Sequence, residues 1–147
     1  MTVSTDVRCL LLVEDNHDDV IFMEQAFRDA ALACPHRVLS DGVDVIDYLE
    51  GRSDYADRKR FPLPSHLLLD LKLPRKSGIE ILDWIRHHPE FKDLSVIVLS
   101  SSKEANDIAR ARELGIDDYL VKPVSYAHLL GMVRGVVETW KLGPALG

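Results

Sequence analysis

Cysteine is scarce in this sequence, with only Cys9 and Cys34 among 147 residues. Cys9 lies inside an apolar run and Cys34 in an expected loop, a pattern that supports neither a disulfide framework nor a zinc site. Both are expected as free thiols in a reducing compartment. No run of about 18 apolar residues, the length a membrane span needs, occurs anywhere. The opening MTVSTDVR lacks the charged-then-apolar order of a secretion signal. The expected location is cytoplasmic, with no membrane contact. Basic charge is also short, since 18 Lys and Arg stand against 24 Asp and Glu for a net charge of −6. No cationic excess remains to neutralise a phosphate backbone, so nucleic-acid binding is disfavoured. Repeats and low-complexity tracts are absent too, and 46% hydrophobic with 29% charged residues is the balance of one globular domain with a buried core.

What is present is a series of short apolar runs: Cys9 to Val13, His66 to Leu71, Ser95 to Leu99 and Tyr119 to Val121. Runs of this length without polar alternation read as strands buried on both faces of a parallel sheet. Helical patterns lie between them. Val20, Met23, Phe27 and Ala30 share one face of a first helix, and Ile79, Leu82, Trp84 and Ile85 follow Ser77 as candidate N-cap. Residues 104–114 form a helix closed by Gly115, and 125 to about 140 form the last. A weaker strand at 37–39 and a helix at 43–49 complete five strands alternating with five helices. That order predicts an α/β fold with a doubly wound five-stranded parallel sheet. Residues 51–64, GRSDYADRKRFPLP, carry two prolines, mixed charge and no periodicity, and read as an inserted exposed loop; the final GPALG should fray.

In such a sheet the reactive groups gather at the carboxyl ends of the strands. Those ends carry Glu14-Asp15, Asp70, Ser100 and Lys122-Pro123. Three carboxylates at one edge repel unless a cation lies among them, and an all-oxygen donor set suits Mg²⁺. A metal-held carboxylate can attack a phosphoryl group to give an aspartyl phosphate. A lysine ammonium and a hydroxyl can hold the oxygens of the transferring group.

These residues, with Asp70 to Ser100 spaced by 30 and Ser100 to Lys122 by 22, resemble the signature of the response-regulator receiver domain. Pro74, Gly78 and the aromatic Tyr119 fall at the family's places as well. The resemblance spans about residues 7–140. It implies the flavodoxin-like (βα)5 receiver fold, Asp70 as phospho-acceptor, and Mg²⁺ held by Asp15, Asp70, Glu14 through water, and the backbone carbonyl of Lys72. It further implies that Ser100 and Lys122 bind the phosphoryl group, that Ser100 and Tyr119 form the switch, and that the Lys122-Pro123 bond is cis. Glu14 stands where Asp is commoner, and Ser100 where Thr is. The insertion at 51–64 together with LDLKLP and VLSSS resembles the single-domain regulators that partner phytochrome-type histidine kinases.

The expected function is therefore a stand-alone receiver over 1–147. It is not an enzyme on other substrates; it takes a phosphoryl group from a histidine kinase and acts on a downstream protein or phosphotransfer partner. About seven residues follow the last helix, so no effector domain is expected. A haloacid-dehalogenase-like phosphatase is the alternative, although that class needs Asp two residues after the nucleophile and Lys72 stands there. A flavodoxin-like carrier would need Gly, Ser or Thr amides where the first loop is acidic. Asp18, Asp19 and Glu24 read as a solvated acidic start to the first helix, and Arg58, Lys59 and Arg60 as a solvated loop. His17 borders the acidic pair, while the other histidines show no ligand spacing. Surplus apolar positions on the last helix, Trp140 and Leu142 included, predict a homodimer through that helix and the tail at 141–147.

Overall fold

This computed structural model describes residues 8–144. The start of the expected domain at residue 7, and 145–147 of the tail expected to fray, lie outside the described residues. The strands are β1 (Leu10–Val13), β2 (His36–Leu39), β3 (His66–Leu69), β4 (Ser95–Ser100) and β5 (Asp118–Val121). The helices are α1 (His17–Asp29), α2 (Gly42–Glu50), α3 (Gly78–Arg86), α4 (Ala105–Leu114) and α5 (Tyr126–Thr139). The strands form one parallel sheet in the order β2-β1-β3-β4-β5, the expected doubly wound α/β arrangement with flavodoxin-like strand order.

Each strand feeds one core on either face of the sheet. Leu11, Val13, Leu67, Leu69, Val96 and Val98 pack with α2, α3 and α4. Leu10, Leu12, Leu68, Ile97 and Leu99 pack with α1 and α5. This two-sided burial is why the strands are apolar without alternation. Helix starts are fixed by side-chain caps: Asn16 accepts from the Asp19 amide, Ser77 from Glu80, and Ser125 from His128. These caps set the loops at the carboxyl edge, where β1, β3, β4 and β5 end.

Two expectations are corrected here. Residues 51–64 are exposed at Arg52, Ser53, Asp54, Ala56, Asp57, Lys59, Arg60 and Leu63, as expected, but Tyr55, Arg58 and Phe61 anchor the segment on α2. Tyr55 and Phe61 pack against Tyr48 with ring centroids 5.1 and 6.1 Å away. Arg58 is half-buried and donates to the carbonyls of Tyr48 and Leu49 at 2.8 Å each, satisfying the last turn of α2. Lys59 and Arg60 remain exposed.

The second correction concerns the last helix. Trp140 is 7% and Leu142 2% exposed, and Val133, Val136 and Val137 are buried with them in the core of α1 and α5. The chain turns back through Lys141 at φ 55, the Leu142 carbonyl accepts from Ala33 at 2.8 Å, and the Trp140 indole donates to Asp117 at 2.8 Å. Residues 141–144 turn back on their own domain, so Trp140 and Leu142 are core residues here, while Leu129, Leu130 and Met132 stay partly buried.

Candidate functional site

The site is built on consecutive strand ends. β1 ends into Glu14, β3 into Asp70, β4 at Ser100, and β5 one residue before Lys122. Because β4 lies between β3 and β5, Ser100 sits on the strand between those that lead to Asp70 and Lys122, and the Lys122 amide donates to the Ser100 carbonyl at 2.9 Å. Glu14, Asp70 and Ser100 are buried, while Asp15 is exposed at the rim.

The Lys122 ammonium is the hub. It donates to Asp70 Oδ2 at 3.0 Å and to Asp19 Oδ2 at 2.9 Å, and it pairs with Glu14 Oε1. The second oxygen of Glu14 accepts the Asn16 amide at 3.1 Å, and Asp70 Oδ1 accepts the Lys72 amide at 3.2 Å. Burial, reinforced by the neighbouring Asp70 charge, pushes the Glu14 carboxyl up to about 7 against the pull of Lys122 and Asn16. Burial alone would lower the Lys122 pKa, but hydrogen bonds to Glu14, Asp19 and Asp70 outweigh it and raise the ammonium above its ordinary value.

Glu14, Asp15 and Asp70 each offer a carboxylate oxygen, all within 4.8 Å of one another. One ammonium, Lys122, faces this group and pairs with Glu14 and Asp70. The donor set contains oxygen only and fits a hard divalent cation.

Ser100 and Tyr119, the expected switch pair, are joined through the backbone of Ser102. Ser100 Oγ accepts from the Ser102 amide at 3.3 Å, and the buried Tyr119 hydroxyl donates to the Ser102 carbonyl at 2.8 Å. Among the described residues every peptide bond is trans, Lys122-Pro123 included, which corrects the cis expectation. Trans is the ground state of X-Pro bonds by about 0.5–1 kcal/mol, and in this form Val124 projects fully into solvent.

Asp19 is the residue that sequence reasoning missed. Its place beside Asp18 reads as a solvated helix start, yet its carboxylate joins Lys122. A signal was available, because Asp19 lies four and eight residues before Met23 and Phe27, on the stripe of α1 that faces the core. His17 is exposed, and Glu24 pairs with His36 at 2.7 Å instead of facing solvent freely. Beside Lys122 a cleft of about 180 Å³ opens between α1 and the β5–α5 turn, with Phe22, Met23, Leu99, Val124 and Leu129 in its wall.

Comparison with known proteins agrees with this geometry. The family described as response regulator receiver domain matches residues 10–134. Response regulator Rcp1 of Synechocystis sp. is 31% identical over 137 residues, covering 93% of this chain and 91% of that protein. The crystal structure of the phosphorylated cyanobacterial phytochrome response regulator RcpA superimposes with a TM-score of 0.84 at 31% identity, covering 91% of this chain and 94% of that one. The Mn²⁺-bound form of Rcp1 gives 0.83 at 30% identity, with 95% and 99% covered.

Proposed function

The chain belongs to the response regulator receiver domain family, and on that premise we propose that it is a stand-alone phospho-acceptor in a two-component pathway, with Asp70 as the acceptor. The observation that carries this reading is the buried Asp70 carboxylate held by Lys122 beside Glu14 and Asp15. An Asp70 oxygen attacks the phosphorus of a kinase phosphohistidine. The P–O bond forms as the P–N bond breaks, and the imidazole nitrogen keeps the electron pair and takes a proton from solvent. Lys122 and the Ser100 hydroxyl receive the phosphoryl oxygens.

Asp15, Asp70, Glu14 through water, and the backbone carbonyl of Lys72 are the residues that would hold Mg²⁺. When bound, the ion neutralises the carboxylates and the charge on the phosphoryl oxygens. The Mn²⁺-bound Rcp1 relative supports a divalent cation at this acidic edge. Hydrolysis of the aspartyl phosphate returns the protein to rest, so its only catalysis is on itself.

The partner is a histidine kinase, and the phytochrome regulators among its relatives favour a kinase of phytochrome type. Exposed Phe22 and Val124 line the cleft beside Lys122 and offer an apolar approach surface. The output is a protein contact or onward phosphotransfer by the single domain of 1–147, and the setting is cytoplasmic; among the described residues no helix is long and apolar enough to cross a membrane. The phosphatase alternative gains no support, since its acid/base position is Lys72 and the family match is to receivers.

Incubation with Mg²⁺ and a small phosphodonor, followed by intact mass, tests the reading. One acid-labile phosphate per chain is expected, and none on Asp70→Asn, whose amide keeps the shape but not the anionic nucleophile. Steady turnover of the donor without a phosphorylated protein would overturn the assignment.

A further inference from the structure

We propose that Asp19 is a third, releasable carboxylate on Lys122, which occupies the ammonium while Asp70 is free and yields it to the phosphoryl group once Asp70 is loaded. This rests on the phospho-acceptor reading of Asp70. An ammonium has three N–H donors, and here Asp19, Asp70 and Glu14 surround Lys122 Nζ and engage all of them. A phosphoryl oxygen arriving at Asp70 while that carboxylate is still ionised therefore finds a free donor only after one of the three lets go.

The three partners differ in what release costs. The side chains of Glu14 and Asp70 are 4% and 5% exposed, and that of Asp19 is 39% exposed. Freeing a buried carboxylate strands an ion without water, whereas freeing Asp19 exchanges one partner for solvent. Glu14 is also tied by its second oxygen to the Asn16 amide, and Asp70 to the Lys72 amide. Among the described residues the Asp19 carboxylate has no such second tie. The cap of α1 uses the Asp19 backbone amide, which donates to Asn16 Oδ1 at 3.0 Å, so the carboxylate can swing away while the helix start stays intact. The adjoining cleft, which Asp19 lines, gives it room to do so.

Asp19 is thus a positioning residue that acts through Lys122 and slows the loading of Asp70. With acetyl phosphate and saturating Mg²⁺, Asp19→Asn is expected to load roughly 2- to 5-fold faster, the scale of one partly exposed ion pair. Asp19→Glu, which retains the charge within reach, should return the rate toward wild type. In the Lys122→Met background, Asp19→Asn should change nothing, because the group it competes for is gone. Independently of phosphorylation, ¹⁵N spectra should show faster hydrogen exchange at the Lys122 ammonium in Asp19→Asn. An unchanged loading rate, an unchanged ammonium signal, or an equal acceleration in the Lys122→Met background, which would mean plain repulsion of the donor, each overturns the role of Asp19. A wild-type protein that gains no phosphate on Asp70 instead overturns the parent reading, and the role of Asp19 with it.

Discussion

Tyr119 donates its hydroxyl to the Ser102 carbonyl at 2.8 Å, with its ring already buried beneath the β4–α4 turn. Ser102 is the shared element, because its amide also donates to Ser100 Oγ and its own hydroxyl bonds Asp107 on α4. If a phosphoryl group on Asp70 draws the Ser100 hydroxyl, the Ser102 amide is expected to be released, and Ser102 is the one residue that links Ser100 to both Tyr119 and the start of α4.

Tyr119→Phe tests that linkage. The ring still fills its space, but the buried Ser102 carbonyl loses its donor, which costs about 1–3 kcal/mol. Urea unfolding should register that loss. Hydrogen exchange should rise at Ser102 and Glu104 before phosphorylation, with phosphate uptake retained. Unchanged protection there would remove Ser102 from the path.

Trp140 gives a second prediction. Its ring is buried against His66, at a centroid distance of 4.7 Å, and its N–H is paired with Asp117. Trp140→Ala should cost about 3–5 kcal/mol as a core truncation. Trp140→Phe, which loses the hydrogen bond to an exposed carboxylate and part of the ring, should cost less. A Trp140→Ala protein as stable as wild type but lighter in light scattering would return this residue to an interface between copies.

The architecture was legible because each local signal agreed with the global one. Strands such as Leu67 to Leu69 are apolar on both faces, and Asn16, Ser77 and Ser125 mark helix starts that the structure uses. The chemistry was legible because strand ends converge in an open sheet. What escaped the sequence depends on chain reversals and partners that no local pattern encodes. The tail folds back at Lys141, which adopts a left-handed conformation without glycine, so surplus apolar residues read as an interface. Arg58 looked solvated because its carbonyl partners, ten and nine residues earlier, become available only once α2 ends.

His66 supplies a pH prediction. Burial, with help from the Arg8 charge and against Asp117, holds its pKa below the ordinary value of 6.5. The unfolded chain therefore takes up the proton first as pH falls. This contribution to stability is fully present above about pH 6.5 and is lost as pH drops through that value toward the lower folded pKa. Urea midpoints measured between pH 7.5 and 5.5 should fall for wild type and fall less for His66→Gln. Parallel curves for the two proteins would exclude His66 as the source.

Gly78 and Gly131 make a matched pair for the last prediction. A Cβ on Gly78, the first residue of α3, would lie 2.4 Å from the Asp70 carbonyl oxygen and 2.6 Å from Leu71 Cα. Both are backbone atoms of the segment that presents the acceptor, so no side chain can give way and α3 must move off the β3 end. Gly78→Ala should then cost about 1–3 kcal/mol, as overpacking does. It should also slow Asp70 loading more than that instability alone would, because the displaced segment carries the nucleophile. On Gly131, inside α5, an added Cβ meets nothing within 4 Å. There alanine replaces a poor helix former, and stability should rise by up to about 1 kcal/mol with loading unchanged. Thermal unfolding and intact-mass time courses on both variants decide the matter. If Gly78→Ala loads Asp70 at the wild-type rate while fully folded, the close approach of α3 does not position the acceptor.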